Sequence, residues 1–123
     1  MRLLVVDDEL DTAQMVALLL THAGHQVRYA VTAKAALEIA AEQKPSVIVL
    51  DLGLPDMEGI ELARRLKAMD GVRQARIVAI TGRMNDAEPR ALQAGCERFL
   101  RKPVAPEVLA AIIREGPEPG STA

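Results

Sequence analysis

The sequence predicts an α/β domain, doubly wound, with one parallel five-stranded sheet in the order 2-1-3-4-5 and helices on both faces. Three observations predict it. Five apolar runs of strand length alternate with five helical patterns, as successive strand–helix crossovers require. Three of the runs are apolar without alternation, which suits strands covered on both sides. The residues that punctuate four of the runs, Asp7-Asp8, Asp51, Thr81 and Lys102, each fall at a carboxyl end, the rim where parallel sheets assemble their sites.

The first strand is Leu3–Val6, and after the acidic triplet Asp7-Asp8-Glu9 a helical pattern runs from about Thr12 to Ala23, stopped by Gly24. Gln26–Ala30 is a short and partly polar strand. Ala33–Gln43 is a second helix, closed before Pro45, since the residue ahead of a proline is driven out of the helical region. Ser46–Leu50 supplies Val, Ile, Val and Leu in succession and ends at Asp51. The Gly, Pro and Asp content of the segment from Leu52 to Gly59 marks a loop, with Gly59 at the loop-to-helix turn, and Ile60, Ala63 and Leu66 then recur on one helical face. Arg76–Ile80 is a buried strand ending at Thr81-Gly82. An irregular exposed stretch follows from Arg83 to Asp86. Pro89 fits the first turn of the fourth helix, where amides have no intrahelical acceptor, and Gly95 ends that helix. Glu97–Arg101 is the last strand, and Pro106–Glu115 the last helix, with Leu109, Ile112 and Ile113 on its apolar side.

A chain of 123 residues suffices for one buried core and not for a comfortable second domain. The expected division is a domain over 1–115 and a flexible tail or start of a linker over 116–123, a segment rich in Gly, Pro, Ser and Thr. With 50% apolar and 26% charged residues the composition argues against disorder. Fifteen basic residues against 17 acidic, net charge −2, leave no basic stripe for direct nucleic-acid binding. Arg64, Arg65 and Lys67 read as the solvated face of a helix. Cys96 is the single cysteine, which removes intrachain disulfides and cysteine-built metal sites. Acidic residues arrive at position 7, before an export or membrane segment can develop, so the expectation is a cytoplasmic chain without membrane insertion.

Asp7, Asp8 and Asp51 would repel one another in a partly desolvated cleft and therefore ask for a cation. Carboxylate oxygens suit Mg²⁺, while His22 and His25 fall at no strand end, which weakens a zinc reading. Asp51 closes the most apolar strand and is the best nucleophile, since a fixed carboxylate can form an acyl phosphate when a metal and a cation screen the incoming anion. Lys102 can pair with phosphoryl oxygens and Thr81 can donate its hydroxyl. Each residue taken singly also fits a cap, a turn or a solvated end. Their recurrence at successive strand ends favours a site. Pro103 after Lys102 can fix the loop and aim the lysine inward; a solvent-facing loop and either isomer of the bond stay open.

The motifs Val-Asp-Asp-Glu at 6–9, Asp-Leu-Gly-Leu-Pro-Asp-Met-Glu-Gly at 51–59, Ile-Thr-Gly at 80–82 and Lys-Pro at 102–103 together resemble the response-regulator receiver domains of two-component signalling, over roughly Arg2 to Arg114. The resemblance implies a CheY-like, flavodoxin-like three-layer sandwich. It implies Asp51 as the residue phosphorylated by a sensor histidine kinase or histidine phosphotransfer protein. Asp7 and Asp8, with Asp51 and the Gly53 carbonyl, are implied as the Mg²⁺ site, Lys102 as the phosphate-pairing lysine, and Thr81 with Phe99 as the switch. Gly53, Gly82 and Arg83 occupy positions that tune the dephosphorylation rate. The output surface implied is the fourth helix, last strand and fifth helix, acting on a downstream target or effector domain, or through a phosphorylation-dependent homodimer.

Such a domain assists its own phosphorylation and slow dephosphorylation and is not a turnover enzyme. Two other readings compete with it: a phosphorylation-independent interaction module of the same fold, and an Mg²⁺-dependent phosphatase of external substrates. The latter lacks spare sequence for a specificity pocket and an evident acid–base residue.

Overall fold

The computed structural model describes residues 1–82 and 87–115; the predicted irregular stretch at 83–86, Arg83 included, and the predicted tail at 116–123 lie outside the described residues. The elements are β1 (Arg2–Val6), α1 (Leu10–His22), β2 (Gln26–Ala30), α2 (Ala33–Gln43), β3 (Val47–Asp51), α3 (Gly59–Ala68), β4 (Arg76–Thr81), α4 (Ala87–Gln93), β5 (Arg98–Arg101) and α5 (Pro106–Glu115). The strands form one sheet in the order β2-β1-β3-β4-β5, every pairing parallel, as the sequence predicts.

Alternation along the strands sends apolar side chains to two cores. Leu4, Val6, Ile48, Leu50, Ile77 and Ala79 pack against α2, α3 and Ala91 of α4. Leu3, Val5, Val47, Val49, Val78 and Ile80 pack against Leu20 of α1 and Leu109 and Ile113 of α5. All five residues of β3 are buried, which is why its sequence carries no polar alternation until Asp51. Leu50 and Ile48 are fully buried, and each such side chain stabilises the fold by about 1.5–3 kcal/mol. The edge strand β2 exposes most of its residues, as its polar composition foretells.

Strands β1, β3 and β4 differ from the sequence reading by one residue at one end or both, and two further boundaries differ for an identifiable reason. Helix α1 begins at Leu10, ahead of Thr12, because Glu9 takes the N-cap position and Asp11 falls in the first turn, where the helix dipole favours a carboxylate. Leu10 itself is 49% exposed and so adds nothing to the apolar periodicity. Strand β5 begins at Arg98, one residue late, and Glu97 uses its side chain to pair with Arg76. Gly24 and Gly95 follow α1 and α4 with φ of +102° and +103°, the left-handed geometry that lets each helix terminate. Gly59 is required for a different reason. A Cβ there would stand 2.4 Å from the Leu52 Cα, so the loop ahead of α3 closes only around a residue without a side chain.

Candidate phosphoacceptor site

β1 and β3 lie side by side, and their carboxyl ends bring Asp7, Asp8 and Asp51 together, each offering a carboxylate oxygen within 4.8 Å of the others. Asp7 and Asp51 are buried while Asp8 is exposed. The backbone fixes the buried pair: the Asp7 amide donates to the Ala30 carbonyl at 3.1 Å, the Glu9 amide donates to Asp7 Oδ1 at 2.9 Å, and the Gly53 amide donates to Asp51 Oδ1 at 3.0 Å. The second oxygen of Asp51 accepts from Lys102 Nζ at 2.7 Å, which also lies 3.4 Å from Asp7 Oδ2. Lys102 arrives from the end of β5, its amide donating to the Thr81 carbonyl at 2.9 Å, and the Lys102–Pro103 bond is cis. Its Nζ contacts with Asp51 and Asp7 show that the lysine points inward, and the solvent-facing alternative is excluded.

Burial pushes the Asp7 carboxyl above its ordinary value, and the neighbouring charge of Asp51 adds to that; the Glu9 amide and Lys102 oppose it without reversing it. Burial alone would lower the Lys102 ammonium, but the hydrogen bond and charge of Asp51, with Asp7, outweigh it and hold the ammonium above its ordinary value. The cluster thus keeps one internal cation, and its carboxylates still outnumber that charge. The side-chain donors are all carboxylate oxygens at a partly open rim, which fits Mg²⁺. His25 lies instead beside the chain's amino terminus, 3.5 Å away, and His22 ends α1, so among the described residues neither histidine joins the acidic cluster and the zinc reading fails on placement.

Thr81 is buried at the end of β4. Phe99 stands in register with Ala79, two residues before Thr81, so the two side chains share the sheet face that carries α4. Phe99 is half-buried against that core, which keeps it packed yet peripheral. Gly53 is exposed, and a Cβ there would meet Asp51 Oδ1 at 3.6 Å, an ordinary contact; at Gly82 a Cβ would meet nothing within 4 Å. Gly53 leaves open space beside the Asp51 carboxylate, and Gly82 leaves open space just after β4.

Three features escaped the sequence reading. Asp51, Asp7 and Lys102 form the polar end of a cavity of about 450 Å³ between α1 and α5, whose walls include Val16, Val49, Ile80, Val104 and Leu109. Asp56 and Glu58, in the loop after Asp51, bind α2 and α4: Asp56 accepts from the Ala33 and Lys34 amides, and Glu58 pairs with Arg90 at 3.0 Å. Arg76 ties the opposite end of the sheet to Glu97 and to the carbonyls of Ile112 and Ile113. Each joins residues at least 21 apart in the chain, and no local pattern announces them.

A doubly wound sheet carrying an acidic cluster, a buried threonine and an inward lysine on one rim defines a phosphoacceptor domain. The family model for the response regulator receiver domain matches residues 3–114, and the chain belongs to that family. It is a phosphoacceptor module rather than a turnover enzyme, and its acidic cluster is of the kind that binds Mg²⁺ in receiver domains. Among curated relatives, the transcriptional regulatory protein KdpE of Mycobacterium tuberculosis (strain CDC 1551 / Oshkosh) is 37% identical over 112 residues, 90% of this chain and 48% of that protein. The chain spans about half the length of the first curated relatives it matches. The chemotaxis response regulator CheY4 of Vibrio cholerae is similar in structure, with a TM-score of 0.85, 27% identity, and 93% and 96% of the two chains covered. A response regulator from Burkholderia pseudomallei, solved with a phosphorylated aspartic acid, a calcium ion and citrate, gives a TM-score of 0.82 at 32% identity, covering 89% of this chain and 64% of that one. Among the described residues no helix is long and apolar enough to cross a membrane.

Proposed function

We propose that Asp51 is the phosphoryl acceptor of this domain. The observation that carries the assignment is the pairing of both its oxygens, Oδ1 with the Gly53 amide at 3.0 Å and Oδ2 with Lys102 Nζ at 2.7 Å. A carboxylate held so presents one orientation at the open rim. An Asp51 oxygen attacks the phosphorus of a phosphohistidine on a sensor histidine kinase or a phosphotransfer protein. An O–P bond forms, the P–N bond breaks, and the departing imidazole takes up a proton. The phosphorylated aspartic acid recorded in the Burkholderia pseudomallei regulator supports the same chemistry here.

Asp7, Asp8 and Asp51, with the Gly53 carbonyl, would hold Mg²⁺, which when bound offsets the charge of the incoming phosphoryl group. Lys102 pairs with a phosphoryl oxygen, and the Thr81 hydroxyl turns to another. Withdrawal of Thr81 alters the space beside Phe99 on the same face, and that repacking shifts the surface of α4, β5 and α5 between two arrangements. Gly53 and Gly82 leave water access open, and with Arg83 they set the dephosphorylation rate. Residues 1–115 form the receiver and 116–123 a tail or linker. The partner downstream is a target protein, an effector domain or a second copy of the chain, and the setting is cytoplasmic.

The test is intact-mass measurement after incubation with Mg²⁺ and a small phosphodonor or a competent kinase, with mapping of the modified residue. Wild type should gain one phosphoryl group and Asp51→Asn none. Equal labelling of the two proteins would remove Asp51 from the role. Identical partner affinity with and without a stable phosphoryl mimic would favour the phosphorylation-independent interaction module.

A further inference from the structure

The loop between β3 and α3 is closed at its base, where the Gly59 amide donates to the Leu52 carbonyl at 3.3 Å. Leu52, Leu54 and Met57 are half-buried against the core beneath α2 and α3. Asp56 reaches from this loop to α2, Oδ1 accepting from the Ala33 amide at 2.9 Å and Oδ2 from the Lys34 amide at 3.1 Å. Helix α2 already has its own cap, since Thr32 Oγ1 accepts from the Ala35 amide at 3.1 Å. Asp56 therefore satisfies further orphan donors of α2 from another part of the chain.

The contact closes a ring around the acidic cluster. From Asp7 the ring passes through the Ala30 carbonyl to the β2–α2 junction, and from Ala33 and Lys34 across to Asp56. Three residues back along the loop it reaches Gly53, whose amide holds Asp51. The carboxylates that follow β1 and the one that ends β3 thus have, besides the sheet, a second mechanical link, and Asp56 is the side chain that completes it along this route.

We infer that Asp56 is a positioning residue for the divalent-cation site, fixing the loop so that the Gly53 carbonyl and the Asp51 carboxylate face Asp7 and Asp8 at a constant separation. The inference rests on the reading of those residues as the cation site. Both amide bonds favour the ionised carboxylate, and they hold the Asp56 carboxyl below its ordinary value. A carboxylate held by two backbone amides of another element suits a positioning role, because cation sites with strict geometry depend on the groups that orient their ligands.

The experiment is Mg²⁺ titration of the full chain followed by ¹H–¹⁵N NMR, for wild type, Asp56→Ala, Asp56→Asn and Thr32→Ala. Asp56→Ala should weaken Mg²⁺ about tenfold, and Asp56→Asn, which keeps one acceptor oxygen, about threefold. Thr32→Ala also uncaps α2 but leaves the loop tied, and should stay within about twofold of wild type. Wild-type affinity in Asp56→Ala would overturn the inference, as would an equal loss in Thr32→Ala, which would reduce Asp56 to a helix cap. If Asp56→Ala does not fold, wild-type affinity in the isosteric Asp56→Asn overturns it instead. A wild-type protein without any Mg²⁺-dependent shift would overturn the cation-site reading itself, a result distinct from either.

Discussion

Asp7 carries the unfavourable charge of the site. It is buried, it faces Asp51, and Lys102 spends its shorter contact on Asp51 and its longer one, 3.4 Å, on Asp7. Its carboxyl is raised above the ordinary 3.8, so folding favours the protonated form. The stability this group contributes is complete below pH 3.8 and is lost as pH rises through the raised value. Asp7→Asn removes the loss. In the absence of Mg²⁺ at pH 7 the variant should melt above wild type, by roughly 2–5 °C after discounting for solvent screening. The difference should vanish in melts below pH 3.8, where wild type is itself protonated. A variant less stable than wild type at pH 7 would show that Lys102 already neutralises the pair. The identities of these residues and their strand-end positions were legible in the sequence. The unequal sharing of Lys102 was not, because it depends on where one ammonium comes to rest between two carboxylates.

At the scale of the element, helix α5 rests on an anchor at the far end of the sheet. Arg76 begins β4 and makes a two-point pair with Glu97, at 2.7 and 2.8 Å, while also donating to the carbonyls of Ile112 and Ile113 at the end of α5. The side chains of Arg76 and Glu97 are only 19% and 14% exposed. Removing the arginine strands a shielded carboxylate and leaves helix-terminal carbonyls unsatisfied. Arg76→Ala should therefore cost about 3 kcal/mol in chemical denaturation, with amide exchange rising first in the last turn of α5. A loss below about 0.5 kcal/mol would class the contact with ordinary surface pairs. The boundaries of α5 and its buried stripe of Leu109, Ile112 and Ile113 agree with the sequence reading. Its anchor escaped that reading because Arg76 looks, in sequence, like a polar residue opening a strand.

At the scale of the whole molecule, three carboxylates with one lysine leave a domain that a cation should stabilise. Mg²⁺ binds the folded arrangement and has no equivalent site in the unfolded chain, so stability should rise by about 2.7 kcal/mol at a hundredfold excess over Kd. Melts recorded against Mg²⁺ concentration check this. A melting temperature that does not respond to Mg²⁺ would contradict the site's charge balance. The same linkage should be abolished in Asp8→Asn if the exposed aspartate supplies a ligand.

The apolar runs, their alternation with helical patterns and the polar residues closing four of the strands determined, from sequence alone, the layered fold, the strand order and the residues on the rim. Those features follow from local periodicity and from the rule that parallel crossovers place strand carboxyl ends together. Tertiary structure alone decided that Lys102 turns inward, that Asp56 ties the acceptor loop to α2, that Arg76 holds α5, and that an apolar cavity opens beside Asp51. The physical reason is range. Burial and backbone propensity act over a few residues and leave a periodic trace, whereas a hydrogen bond or ion pair between distant segments depends on where the packed elements set its two ends.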